Sequence, residues 1–200
     1  MRVAVLASHE GTTLQALIDA FRQTPDAQVV LVLSNNAGSG ALRRAHEAGI
    51  PTAHLSGHTH PDPGELDAVI AETLASHDVE LVVLAGYMKK LGARTLARFE
   101  GRILNAHPAL LPKFGGKGMF GLHVHQAVLE AGETLTGASV HVVTEEYDAG
   151  PVIAQREVPV NADDTPASLA ERVQVVERGL LIDVVRDVAT GRMNLSSSHV

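Results

Sequence analysis

With 200 residues, 45% of them hydrophobic, the chain is long enough to bury a core of its own and is expected to form a single domain over 1–200, with 196–200 as a frayed tail. It contains no cysteine, which excludes disulfides, thiolate metal sites and a cysteine nucleophile. A formal net charge of −7 argues against broad binding to nucleic acid, yet leaves room for a small anionic ligand in a local pocket.

The chain opens on an apolar run at 3–7, too short to span a membrane and followed by a turn without a small-residue cleavage site. It reads as a strand buried on both faces, in a soluble, cytoplasmic protein with no membrane contact. Residues 13–21 carry Leu14, Leu17, Ile18 and Phe21 at helical spacing, and 29–33 is a second buried strand. After the loop 35–40, a helix expected over 41–48 is stopped by Gly49 and Pro51. A short strand at 52–55 leads into 56–64, whose two histidines and two prolines read as a mobile surface loop. A helix over 65–76 and the most apolar strand, 81–85, complete this half. Alternating strands and helices predict an α/β fold: a mostly parallel twisted sheet, helices on both faces and right-handed crossovers. Ligands of such sheets bind beyond the carboxyl ends of the strands, which selects the loops after Ala7, Leu33, Ala85 and Leu104.

The second half has a different rhythm. A short strand, 101–104, precedes a long loop at 110–122 that holds four glycines and a proline. A short helix over 124–131 is followed by two strands, 138–143 and 152–160, joined by a turn at 145–151, so the C-terminal portion of the sheet is expected to be antiparallel. Residues 165–189 form a long helical segment with Leu169, Val173, Val176, Leu180 and Val184 on one stripe, capped by Asp164 or Thr165 and followed by Gly191.

Asn105 and His107 stand at a strand's carboxyl end with a spacing of two, which puts both side chains on one face. An Asn amide can donate to a developing oxyanion, and a His can act as acid or base near neutral pH. The competing reading is a turn in which Asn and Pro only shape the backbone. Asp148 lies in Asp148-Ala149-Gly150-Pro151, a tight-turn signature able to aim a side chain inward, although Glu145, Glu146 and Asp148 can equally be solvated surface. The loop Ser8-His9-Glu10-Gly11-Thr12-Thr13 joins the first strand to the first helix, where backbone N–H groups attract anions. It lacks the GxGxxG spacing of dinucleotide sites, and its hydroxyls can equally cap the helix. His123 with His125, and His58 with His60, are pairs at strand spacing, but without cysteine or a clear third ligand no metal site is expected. Ser8 and His9 with Asp148 suggest a hydrolase triad, but there is no GxSxG elbow.

Together these segments resemble the folate-dependent formyltransferases, and among them the branch that formylates glycinamide ribonucleotide. Val83-Leu84-Ala85-Gly86-Tyr87-Met88 is similar to the family's folate-side loop. Asn105-Ala106-His107-Pro108-Ala109-Leu110-Leu111-Pro112 matches its Asn-x-His-Pro-Ser-Leu-Leu-Pro motif. Gly137-Ala138-Ser139-Val140-His141 through Tyr147-Asp148-Ala149-Gly150-Pro151 matches the segment that carries its catalytic aspartate. The likeness runs from Met1 to about residue 195 and implies the Rossmann-like formyltransferase fold. Methionyl-tRNA formyltransferases add a C-terminal domain and formyltetrahydrofolate deformylases an N-terminal one, for which this chain is expected to have no room. Two departures stand out. The family's Gly-Ser-Asn phosphate loop is Gly11-Thr12-Thr13 here, without the Asn amide, and 113–121 is longer than the Pro-Gly turn of some relatives and is read as a mobile lid.

The resemblance implies 10-formyltetrahydrofolate as co-substrate, the amine of 5-phosphoribosylglycinamide as acceptor, no metal and no nucleic-acid partner, in a monomer or homodimer. It assigns Asn105, His107 and Asp148 to catalysis, Gly11, Thr12 and Thr13 to the substrate phosphate, and Glu177 to its ribose. Met88, Lys89, Lys90 and Leu91, with Asn105, Val143 and Asp148, would hold the folate. Asn105 would donate to the oxyanion, and His107, in a protonated form favoured by Asp148, would be a second donor. Two rival readings stand beside this one: a formyltetrahydrofolate deformylase, with water in place of the amine, and a non-catalytic nucleotide-binding module on the same fold.

Overall fold

The computed structural model describes residues 1–195; the tail expected to fray, 196–200, lies outside the described residues. The chain divides into two compact units, one of residues 1–104 and one that starts at Asn105.

The first unit holds β1 (Arg2–Leu6), α1 (Thr12–Phe21), β2 (Gln28–Ser34), α2 (Gly40–Glu47), β3 (Thr52–His54), α3 (Pro63–Ser76), β4 (Leu81–Leu84) and α4 (Ala93–Arg98). Its strands are parallel, in the order β3-β2-β1-β4. Val3, Ala4, Val5 and Leu6 of β1, and every residue of β4, are buried, as central parallel strands covered on both faces require. Burying one Val or Leu side chain contributes about 1.5–3 kcal/mol, so these strands add substantially to the unit's stability. Helices α1 and α3 end at Phe21 and Ser76 as expected, and α2 ends one residue before its expected stop. Gly49 follows α2 with φ 70°, a left-handed stop that residues with a Cβ avoid. α3 starts at Pro63, two residues earlier than its apolar pattern, because Asp62 caps it by accepting from Glu65 N–H at 2.7 Å. The loop before it contains a hydrogen-bonded turn, with Thr59 and His60 N–H both donating to the Ser56 carbonyl.

Helix α4 has no counterpart in the sequence reading. Its N-cap is Gly92, which offers no side chain to cap it. The cap comes from α3: the buried Asp67 carboxylate accepts from Arg94 N–H at 2.8 Å, Thr95 N–H at 3.1 Å and the Thr95 hydroxyl at 2.6 Å. A Cβ at Gly92 would strike that carboxylate.

β5 (Ile103–His107) begins in the first unit and ends in the second. The second unit continues with α5 (Leu122–Glu130), β6 (Leu135–Val142), β7 (Val152–Pro159) and α6 (Pro166–Ala189). β6 and β7 are antiparallel, the expected change of pattern, with a register shift between Val140 and His141. Val128 of α5, Val158 of β7 and Leu169 and Val173 of α6 form a buried cluster, joined by Phe114, Leu129, Val160 and Val176. Thr165 caps α6 through a reciprocal pair with Ser168, while Asp164 pairs with Arg172. Among the described residues no helix is long and apolar enough to cross a membrane.

Candidate active site

Four side chains of the second unit meet at the end of β5. Alternation along the strand puts Asn105 and His107 on one face. Asp148 arrives from the β6–β7 connection, which folds back on itself: Val142 N–H donates to the Pro151 carbonyl at 2.9 Å. Gly150 is obligatory there, because a Cβ would run into the Val142 carbonyl. Asp148 itself has φ 55°, a left-handed conformation that Asp tolerates better than most residues. Its carboxylate lies 3.5 Å from His107 Nδ1 through Oδ2 and 3.4 Å from His141 Nε2 through Oδ1. It also accepts from Gly116 N–H at 2.9 Å.

His141 is the member that sequence reasoning missed as a functional side chain. It is buried, and its Nε2 lies 3.1 Å from Asn105 Nδ2. His141 Nδ1 is 3.0 Å from the Val142 carbonyl, which can only accept, so Nδ1 carries a proton. In the neutral ring Nε2 is then an acceptor, and one Asn105 amide hydrogen is spent on it, leaving the other for a ligand. The sequence offered only a histidine between two valines in the expected strand 138–143; the register shift beside it, of the kind that re-aims side chains near active sites, shows in the structure alone.

The same argument fixes His107. Its Nε2 is 2.7 Å from the Phe114 carbonyl, so Nε2–H donates there and the neutral ring turns a bare Nδ1 toward Asp148. Burial lowers the His107 pKa from its ordinary 6.5; Asp148 and the Phe114 carbonyl oppose this, and His141 adds to it. The resting ring is therefore neutral near pH 7, unlike the protonated form expected from Asp148 alone. Burial by itself would raise the Asp148 pKa, but the nearby His141 and His107 rings and the hydrogen bond from Gly116 N–H together hold it below the ordinary carboxylate value. A neutral imidazole against a firm carboxylate can take up a proton and hold it as an ion pair.

His125 of α5 is also buried, its Nδ1 has no partner among the described residues, and burial and then the nearby His107 lower its pKa. His123 is exposed on the same helix, edge-on to Phe120. Among the described residues no group of three His, Cys, Asp or Glu side chains could hold a metal ion. On α6, Glu177 is half-buried, and burial pushes its carboxyl up to about 7 against the opposing charge of Arg178.

In the first unit, the loop after β1 leads into α1 as expected for an anion site. Gly11 is the N-cap with φ 73°, no side chain among the described residues caps the helix, and Thr12 and Thr13 are its first residues. The first-turn N–H groups thus lack a capping side-chain oxygen among the described residues. Gly11 has a packing role as well: a Cβ would sit 2.7 Å from Ala41 Cα in α2. Substituting Gly11 consequently disturbs α1 and α2 with or without a ligand, and is a poor test of phosphate binding. Met88, Lys89 and Lys90 are exposed after β4, and Leu91 is buried.

A hydrogen-bond donor amide, a proton-accepting imidazole and a carboxylate at the end of one strand suit acyl transfer through an oxyanion. The sequence pattern of the formyl transferase family matches residues 1–185, and the chain belongs to that family. It is 38% identical to the phosphoribosylglycinamide formyltransferase of Escherichia coli (strain K12), over 98% of this chain and 90% of that protein. It is also 41% identical to the trifunctional purine biosynthetic protein adenosine-3 of Gallus gallus, over 99% of this chain but only 19% of that one, so it spans about a fifth of the trifunctional relatives. Among solved structures, glycinamide ribonucleotide transformylase 1 from Symbiobacterium toebii superposes with a TM-score of 0.90 at 38% identity, covering 99% of this chain and 92% of that one.

Proposed function

We propose that the chain transfers the formyl group of 10-formyltetrahydrofolate to the primary amine of 5-phosphoribosylglycinamide, a step of purine biosynthesis, releasing tetrahydrofolate. Membership of the formyl transferase family implies a folate-type formyl donor and small-molecule substrates. The observation that carries the mechanism is the Asn105, His107, His141 and Asp148 cluster, held by hydrogen bonds at the end of β5.

The amine nitrogen attacks the formyl carbon, and the carbonyl oxygen becomes an oxyanion. The second Asn105 amide hydrogen donates to it, an interaction worth roughly 3–4 kcal/mol in comparable sites. The ammonium proton moves, through a water, to His107 Nδ1, where Asp148 stabilises the imidazolium. The carbon–nitrogen bond to the folate then breaks, and the proton passes to the leaving nitrogen. The first-turn N–H groups of α1 at Gly11, Thr12 and Thr13 hold the substrate phosphate, and Glu177 the ribose. The backbone of Met88, Lys89, Lys90 and Leu91, and the segment from Val143 to Asp148, hold the folate. Residues 1–200 act in this reading as one formyltransferase domain.

Measuring formyl loss from the donor with and without the ribonucleotide amine tests the proposal. Transfer that requires the amine and yields formylated ribonucleotide in step with tetrahydrofolate is expected. Formate released at the same rate without the amine would assign the chain to the deformylases instead, and loss of neither kind would leave a binding module.

A further inference from the structure

Ser8, the first residue of the loop after β1 whose side chain is polar, takes no part in the chemistry above, yet all its polar groups are engaged. It is 2% exposed. Its N–H donates to the Gly86 carbonyl at 3.1 Å. Its hydroxyl donates to Asn35 Oδ1 at 2.5 Å and accepts from Met88 N–H at 2.8 Å. Residue 8 thus grips the chain on both sides of Tyr87, once through main chain and once through side chain. Gly86, with φ 71°, supplies the left-handed turn that brings the Met88 N–H back toward β1.

The other side of the same loop is fixed independently. The His9 carbonyl accepts from Ala41 N–H at 3.0 Å, and Gly11 packs on Ala41. A Cβ at Gly40 would sit 2.7 Å from the Glu10 carbonyl oxygen. The anion loop is therefore clamped to α2, and Ser8 is the hydroxyl that ties the start of the exposed Met88–Lys90 stretch to this clamped frame. Lys89 and Lys90 are exposed, so the backbone leading into them depends on what holds Met88.

We propose that Ser8 is a positioning residue for the folate donor: its hydroxyl, oriented by Asn35, holds the Met88 backbone in the shape that the folate meets. The inference rests on the reading that residues 88–91 contact the folate. The Ser8 partners named above do not include Asn105, His107, His141 or Asp148, so its loss acts on folate affinity and spares the rate of the chemical step. In this proposal Asn35 acts through the Ser8 hydroxyl that it orients, which makes the two side chains non-additive.

The test is a double-mutant cycle of Ser8→Ala and Asn35→Ala, with tetrahydrofolate binding followed by calorimetry, steady-state kinetics in parallel, and thermal melting to establish that each variant is folded. Loss of one buried hydrogen bond predicts a folate Kd about five- to tenfold weaker in Ser8→Ala with kcat within about twofold of wild type. Asn35→Ala gives a smaller weakening, about two- to threefold, and the double variant matches Ser8→Ala. Ser8→Thr, which keeps the hydroxyl, recovers most of the affinity. An unchanged Kd in folded Ser8→Ala, an equal loss in kcat, or additive effects of the two substitutions would each overturn the assignment. Should Ser8→Ala not fold, Asn35→Ala alone decides: folate affinity equal to wild type rejects the proposal. If wild-type protein binds no folate, the failure lies with the folate reading of residues 88–91 and not with Ser8.

Discussion

His107 is where burial and charge compete most directly. Its pKa is lowered mainly by burial, so in the proposed mechanism it would start neutral, take up a proton and then give it back. The sign follows: the contribution of His107 is present above its pKa and lost as pH falls through a value below the ordinary 6.5. His107→Ala should lower kcat by about two orders of magnitude or more while folate affinity stays nearly intact, because the lost interactions belong to the transition state. The acid limb of the wild-type rate profile below pH 6.5 should also be missing from the variant. Steady-state kinetics across pH, with calorimetry for the folate, checks both; turnover within a few-fold of wild type refutes the assignment. Which residues gather in this cluster was only partly legible in the sequence. Asn105 and His107 announce themselves by a spacing of two at a strand end, and Asp148 by the turn that follows it. His141 does not, because its role depends on the fold of the 143–151 connection, which brings a residue seven positions later against its ring.

At the scale of elements, legibility tracked whether the cause was local. β1 from Val3 to Leu6, β2 from Val29 to Leu33 and all of β4 are apolar because they are buried on both faces, and the signal survives in any window. Helix α4 is invisible because its cap, Asp67, lies more than twenty residues earlier in the chain. The segment 113–121 reads as a lid from its glycines, but its contacts show more than that. The Phe114 carbonyl fixes the His107 tautomer, the Gly116 N–H holds Asp148, and the Phe114 side chain packs on the Val128, Val158, Leu169 and Val173 cluster. Phe114, at φ 57°, and Gly116, at φ 97°, hold left-handed backbone to do so. Replacing 113–121 by a short Pro-Gly turn should therefore cut kcat by about tenfold or more, as two hydrogen bonds to the catalytic pair disappear. The fold should persist with a lower Tm, since loop length itself costs little. Circular dichroism, thermal melting and steady-state kinetics would show it; a variant that changes only KM would mean that the loop covers the substrates without organising the pair.

For the whole molecule the decisive quantity is charge. The chain carries a formal −7, and the proposed ribonucleotide and folate are themselves anions. The long-range field therefore repels what the protein is to bind, and attraction has to come from groups that act at contact distance. The structure offers such groups in the uncapped first turn of α1 and in Lys89 and Lys90. Backbone N–H donors and a helix terminus work within the first turn and are little affected by salt once the ligand is seated. Raising ionic strength from about 0.01 to about 0.15 M shortens the screening length from about 30 to about 8 Å, which removes most of the global repulsion and leaves contact interactions in place. The kcat/KM for the ribonucleotide should then stay level or rise by up to a few-fold over that range, the reverse of the steep fall seen when a basic surface gathers an anion. Kinetics at fixed pH across a sodium chloride series makes the measurement. A fall of more than about tenfold would mean that exposed lysines, and not the helix terminus, supply the binding, and the phosphate would have to be sought near Lys89 and Lys90.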